Sequence, residues 1–207
     1  MQIEYVYVDA NTPTPDKYYN GFIRVYKEAF SLHPYYEVYT DSEVLNDVWV
    51  PHLNNGLIVL ACDGELVVGL GCAKPLLKSP SDVQEFLRMR QLSKDSPIEF
   101  RNIEFSDAWY ISELGVLLAY QNRGIGTQIM VKCLARILEH QFHYFVTRTA
   151  AKGSNSINIF RKLGAIELPE HQDVSDSKQI KDYKSQSTAR IYFYGCCEEA
   201  LRKIIKI

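Results

Sequence analysis

Residues 114–127, Leu-Gly-Val-Leu-Leu-Ala-Tyr-Gln-Asn-Arg-Gly-Ile-Gly-Thr, run an apolar strand into a glycine-rich turn and straight into an amphipathic helical pattern. From Gln121 to Thr127 the turn offers consecutive backbone N–H groups. Gly124 and Gly126 let the main chain curl without a Cβ in the way, and the following helix aims its positive end at the same point. The segment is therefore built to hold an anion such as a phosphate. It also constrains topology. The helical stripe Ile129, Met130, Cys133, Leu134, Ile137 and Leu138 spans a helix over 127–141, and 144–149 reads as the next strand. Strand, helix and strand in this order imply a parallel pair with a right-handed crossover.

The rest of the chain supplies the remainder of a single domain. Its 207 residues suffice for one core. With 23 basic against 25 acidic residues and 46% hydrophobic residues, it has neither the basic surplus of a nucleic-acid binder nor the polarity of a disordered chain. Residues 1–8 alternate like a strand and lack the pattern of a signal peptide, and runs such as 57–62 are too short to cross a bilayer. A cytoplasmic protein with no membrane and no nucleic-acid partner is expected. Cys62, Cys72, Cys133, Cys196 and Cys197 show no C-x-x-C spacing and read as reduced, mostly buried thiols.

Residues 11–16, Asn-Thr-Pro-Thr-Pro-Asp, signal a turn and a helix start, and 18–30 carry a helical pattern at Phe22, Val25, Tyr26, Ala29 and Phe30. His33-Pro34 breaks it; Asp41 or Ser42 caps a second helix reaching about Leu53. Residues 57–62 and 65–73, joined by Asp63-Gly64, form a β-hairpin. The stretch 75–107 is polar, contains Pro80 and Pro97, and reads as an excursion with one short helix over 81–91. The central strand covers 109–118. Ser154-Asn155 caps a short helix through Leu163, ended by Gly164; 189–196 gives a late strand and 198–207 a terminal helix.

Among owners of a phosphate cradle, a Walker nucleoside triphosphatase needs Lys-Ser/Thr after the last glycine, whereas Gly126 is followed by Thr127-Gln128. The dinucleotide fingerprint needs a third glycine where Ile129 stands, and normally opens its domain. What remains is Gln-x-x-Gly-x-Gly at Gln121, Gly124 and Gly126, with Arg123 beside the turn. Together with the element order and with 159–165, Ile-Phe-Arg-Lys-Leu-Gly-Ala, this resembles the GNAT superfamily of acyl-CoA-dependent N-acetyltransferases.

The resemblance implies a single-domain α/β (α+β) fold: a mixed, mostly antiparallel sheet with splayed central parallel strands, flanked by helices. Residues 1–207 form one acetyltransferase domain, with an insertion at 75–107 and a helical extension at 198–207. It implies acetyl-CoA as co-substrate. The backbone of Leu114, Gly115, Val116, Leu117 and Leu118 pairs with its pantetheine arm, and Gln121, Asn122, Arg123, Gly124, Ile125, Gly126 and Thr127 hold its pyrophosphate. Asn155, Ser156 and Phe160 lie on the far side, and a backbone N–H near Val116 meets the acetyl carbonyl. The aromatic stretch 33–39, with Glu37, lies where the superfamily walls the acceptor. A small-molecule amine is favoured over a peptide or protein as acceptor, with a homodimer left open.

The chemistry sets its own demand. A primary amine of pKa ~10.4 is almost wholly protonated at neutral pH and must lose a proton before attacking a thioester. Glu113, a carboxylate in an apolar strand, is either that base or a rim or ion-paired residue; Ser112 or Tyr110 working through water is the competing route. Strict alternation sets Tyr110, Ser112, Leu114 and Val116 against Trp109, Ile111, Glu113 and Gly115, and a bulge would alter the assignment. Phe160 stands where many superfamily members carry a tyrosine acid, so the thiolate leaves unaided, a hydroxyl such as Ser154 or Ser156 substitutes, or the chain is a non-catalytic acyl-CoA-binding module. An unrelated nucleotide-binding scaffold is motivated by the glycine turn alone. His140 and His143 read as residues at a helix end rather than metal ligands.

Overall fold

The computed structural model describes residues 2–10, 16–174 and 189–205. Among these, eight strands form one sheet in the order β1-β2-β3-β4-β5-β8-β6, with β7 also on β8. The strands are β1 (Ile3–Val8), β2 (Leu57–Asp63), β3 (Leu66–Pro75), β4 (Ala108–Val116), β5 (Tyr144–Ala150), β6 (Ile166–Glu167), β7 (Gln172–Asp173) and β8 (Ala189–Cys196). Only β4 and β5 pair in parallel, joined through α6 (Ile125–Glu139). The fold is thus the mixed, mostly antiparallel sheet flanked by helices.

The first helix, α1 (Asp16–Ser31), buries Phe22, Ile23, Val25, Tyr26 and Phe30, the stripe its sequence spacing sets. The turn expected over 11–15 lies outside the described residues. The second helix starts at Thr40, not Asp41 or Ser42: the Thr40 hydroxyl accepts the Glu43 N–H at 3.2 Å and Glu43 accepts the Thr40 N–H at 2.8 Å, a reciprocal capping box. It runs as α2 (Asp41–Glu43), a π-helical turn Val44–Trp49, and α3 (Val50–Asn55). The π-turn lets the helix continue through Pro51, which has no N–H to give. The hairpin turn sits at Gly64-Glu65, one residue later than expected, because Asp63 still pairs with Leu66.

Two helical layers cover the sheet. Ala29 of α1 lies over Gly115, and Ile129 of α6 over Gly71 on the opposite face. The stretch 75–107 is no mere excursion. It folds into α4 (Ser81–Leu92), α5 (Ile98–Arg101) and flanking 3-10 turns, and buries Leu76, Val83, Phe86, Leu87 and Phe100 against Tyr110, Val146, Tyr192 and Tyr194. The rings of Phe86 and Tyr192 stack 4.6 Å apart. Its polar composition masked a helical apolar stripe that packs on the same face as α1, over the β4-β5-β8 half. Arg148 to Asp82 at 2.8 Å and Arg90 to Glu170 at 2.5 Å tie its polar rim down.

The strand expected over 109–118 ends at Val116. The Leu117 N–H turns to the Val68 carbonyl at 3.0 Å, and Leu118–Tyr120 form a 3-10 turn. Consequently α6 begins at Ile125 and stops at Glu139, two residues before expectation at each end. Short β6 and β7, without a hydrophobic alternation of their own, are additions to the expected order. The terminal helix, α8 (Cys197–Ile205), packs on α6. All five cysteines are free thiols, and only Cys196 retains appreciable exposure. Among the described residues no helix is long and apolar enough to cross a membrane.

Candidate functional site

The parallel ladder between β4 and β5 is short. It runs from Ala108↔Tyr144 to Ile111↔Thr147, where the Thr147 hydroxyl donates to the Ile111 carbonyl at 2.9 Å and closes it. Beyond that joint the strands part. The β5-facing edge of Leu114, Gly115 and Val116 has no strand partner among the described residues and opens into a cleft of about 600 Å³.

One wall of the cleft is the glycine-rich turn. Asn122 (φ 59°) and Gly124 (φ 79°) both adopt the left-handed region, which Asn tolerates and glycine enters freely, and the turn curls into a nest of N–H groups. The first backbone bond into α6 is from the Gln128 N–H to the Gly124 carbonyl at 3.0 Å. The N–H groups of Ile125, Gly126 and Thr127 therefore have no acceptor within their helix, and all three residues line the cleft. A Cβ at Gly126 would come within 2.9 Å of Ile159 Cδ1, filling the cradle. The Gln121 amide donates to the Val116 carbonyl at 3.1 Å and thereby ties turn to strand. Arg123 donates to the Ala119 carbonyl at 2.8 Å and lies over the Tyr120 ring; it does not line the cleft.

The opposite wall is the start of α7 (Ser156–Lys162). Asn155, Asn158, Ile159 and Lys162 share the helix face turned to the cleft. Phe160 is on the other face, 2% exposed, with its ring 5.3 Å from that of Phe193. Leu117 is likewise buried away from the cleft, 7% exposed. Three hydroxyls join this wall to the roof: Tyr35 to Thr149 at 2.9 Å, and Thr149 to Ser154 at 2.6 Å. The roof itself is Leu32 to Tyr35. Sequence reasoning singled out neither Asn158 nor Lys162, although their helical spacing from Asn155 was available. The cleft fits an extended, amide-bearing ligand with an anionic end: a free strand edge along its length and a cradle of N–H donors at one end.

The three candidate catalytic residues do not line this cleft; they gather behind the β4 edge. A bulge lies in β4, because Cys72 pairs with Glu113 and Ala73 with Ile111, leaving Ser112 unmatched. Strict alternation fails there. Tyr110, Glu113 and Gly115 share the α1 face, Ile111 and Leu114 the α6 face, and Ser112 turns toward α3 on the same side as Glu113. Burial pushes the Glu113 carboxyl up to about 7; the cations of Lys74 and Arg148 and the hydroxyl of Tyr26 hold the rise in check, and Ser112 Oγ is a further hydrogen-bonding neighbour. Tyr110 is 3% exposed in the α4–α5 cluster, and burial raises its phenol well above the ordinary range.

Ser112 meets His52, whose Nε2 lies 2.8 Å from Ser112 Oγ and whose Nδ1 lies 2.7 Å from the Val48 carbonyl. Burial, and then the charge of Lys74, lowers that imidazole to about 4, so it is neutral near pH 7. Neither His52 nor Lys74 was singled out from the sequence, since only the bulge brings them to Glu113. Glu37, expected to face a cationic amine, is 5% exposed and paired with Arg190 at 3.4 Å, and accepts from the Tyr39 hydroxyl at 2.8 Å. His140 stacks on Trp109 and His143 pairs with Asp107 at 2.9 Å.

Residues 18–165 match the model of the acetyltransferase (GNAT) family. No curated protein matches the chain in sequence. Among solved structures it is similar to the ribosomal-protein-alanine N-acetyltransferase from Brucella melitensis, with a TM-score of 0.63 at 12% identity over 95% of this chain and 99% of that one. It is also similar to the N-acetyltransferase from Staphylococcus aureus Mu50, at 0.60 and 12% over 94% and 99%. A third is the NatC complex bound to Gag peptide and CoA, at 0.57 and 14% over 94% and 98%. At such identities these likenesses concern the fold.

Proposed function

The chain belongs to the acetyltransferase (GNAT) family, and from that premise we propose that it transfers an acetyl group from acetyl-CoA to a primary amine by direct attack in a ternary complex. One observation carries the reading. The β5-facing edge of Leu114 to Val116, without a strand partner among the described residues, and the N–H cradle of Ile125 to Thr127 open into the same cleft. In this proposal the strand edge pairs with the amide-bearing pantetheine arm. The cradle takes the pyrophosphate, and Asn155, Ser156, Asn158 and Lys162 flank the arm from α7. The cleft is bordered by Ala29 and Leu32 as well as by the start of α6; in this proposal the amine approaches from the α1 side, and Glu113, behind the β4 edge, accepts its proton. A carboxyl raised to about 7 suits a base working near neutral pH.

Residues 1–207 are read as one acetyltransferase domain, in which 75–107 is an insertion packed on the sheet and 198–207 a helical extension. The acceptor is a primary amine. A small molecule and an alanine of a protein, the acceptor in the name of the Brucella melitensis ribosomal-protein-alanine N-acetyltransferase, are both consistent with a cleft bordered by α1.

Calorimetric titration with coenzyme A and acetyl-CoA, followed by thiol release against small amines and N-terminal peptides, tests the proposal. No binding at millimolar concentration sinks it. Phe160, which has no proton to give and is turned from the cleft, favours a second reading, a non-catalytic acyl-CoA-binding module. Tight binding without turnover on any amine would establish that reading instead.

A further inference from the structure

The buried imidazole of His52 uses both nitrogens, and the identity of its partners fixes its tautomer. The Val48 carbonyl can only accept, so Nδ1 at 2.7 Å carries the proton. A neutral ring then has only a lone pair at Nε2, and Ser112 at 2.8 Å must donate to it. The competing acceptor, the Cys72 carbonyl, is at 3.4 Å. A serine has a single hydroxyl proton. With that proton committed to His52, Ser112 turns oxygen lone pairs, not a donor, toward the adjacent Glu113.

We infer that His52 is a positioning residue for Glu113: by holding the Ser112 proton it withholds a hydrogen bond from the Glu113 carboxylate and keeps that group a strong proton acceptor. The bulge makes this arrangement available, because it puts Ser112 and Glu113 on one face. The other groups facing Glu113 are Cys72 and Lys74 from β3, Tyr26 from α1, Tyr39 from the segment before α2, Arg148 from β5 and Tyr110 on its own strand. Since His52 is uncharged near pH 7, replacing it by leucine leaves the charges of Lys74 and Arg148 in place. A shift at Glu113 then reports the freed serine proton. The kinetic part of the inference rests on the reading of Glu113 as base; the protonation part does not.

The test follows the Glu113 carboxyl by carbon-13 NMR across pH in the parent protein, in His52→Leu, in Ser112→Ala and in the double variant. Releasing the serine to donate to a carboxylate is expected to lower the Glu113 midpoint by about one pH unit in His52→Leu, the usual strength of a hydrogen bond to a charged group. In the Ser112→Ala background the same replacement is expected to shift it by less than about a third as much. An unmoved or raised midpoint in His52→Leu, or an equal drop without the serine, overturns the inference.

The acidic limb of the kcat/KM profile should move with the midpoint. If the carboxyl titration moves and the rate profile does not, His52 positions Glu113 as inferred and Glu113 is not the base. Should His52→Leu fail to fold, nitrogen-15 shifts of the imidazole in the parent protein decide. A ring that stays neutral and protonated at Nδ1 from about pH 5.5 to 9 supports the inference, while the Nε2–H form or titration within that range overturns it.

Discussion

The side-chain amide of Gln121 donates to the main-chain carbonyl of Val116 at 3.1 Å, so the first residue of the glycine motif grips the strand it leaves. The glutamine thus positions the cradle through the backbone. Gln121→Leu is expected to weaken coenzyme A binding about tenfold, or ~1.4 kcal/mol, by calorimetry. Thermal stability should change by less than about 1 kcal/mol, as for one partly exposed hydrogen bond. Unchanged affinity would mean that the turn holds its shape unaided.

Gly126→Ala puts a methyl group into the cradle, 2.9 Å from the flexible end of Ile159. Position 126 is helical, so alanine is expected to hold or raise stability by up to about 1 kcal/mol. Coenzyme A affinity should fall by a hundredfold or more, about 2.7 kcal/mol. A variant that binds normally would place the anion elsewhere.

Glu113→Gln keeps the size of the side chain and removes the proton acceptor. Turnover is expected to fall by roughly 10²–10⁴ with coenzyme binding unchanged. In the parent protein the rate should rise with pH through about 7, as the carboxyl deprotonates. Survival of that limb in the variant would assign the base to another group.

The same carboxyl links stability to pH. Its folded value of about 7 stands above the ordinary 4.5, so the native state holds the proton more tightly than the unfolded chain does. Its contribution is fully present below about 4.5 and lost as pH rises through about 7. Glu113→Gln has no such loss. Relative to the parent it should gain stability over that window, reaching about 2 kcal/mol at pH 8 after discounting for the group's partial exposure. Parallel denaturation curves at pH 5 and pH 8 would contradict this.

Leu87, fully buried between α4 and the sheet, tests whether 75–107 belongs to the cooperative core. Leu87→Ala is expected to cost about 2–5 kcal/mol in a single unfolding transition. Separate melting of this segment with the sheet intact would show that it is an appendage.

The glycine-rich turn and its place between strand and helix were legible because their requirements are local: two glycines, a strand before and an amphipathic helix after. The hairpin and α1 were legible for the same reason, through period and turn chemistry. The surroundings of Glu113 were not. A bulge adds one residue and reverses every inside-outside assignment on one side of it, and nothing in Tyr-Ile-Ser-Glu-Leu marks where that residue lies. The polar surface of α4 similarly hid Val83, Phe86 and Leu87, whose burial depends on Tyr192 and Tyr194, about a hundred residues away. Phe160 was placed beside the ligand by its motif, yet the register of α7 gives that face to Asn158, Ile159 and Lys162.

The joint between β4 and β5 also acts as a fulcrum. From Ile111 to Val116 β4 runs about 17 Å with β3 on one edge and no strand partner on the β5-facing edge among the described residues, so a tilt of this paired ribbon by about four degrees at the joint displaces its tip by on the order of 1 Å. Misplacement on that scale can cost about a hundredfold in rate. Phe86 and Phe100, packed on Tyr192 and Tyr194 of β8, lie on the β5 side of that joint, so the segment 75–107 backs the strand that forms the far arm of the cleft without lining it.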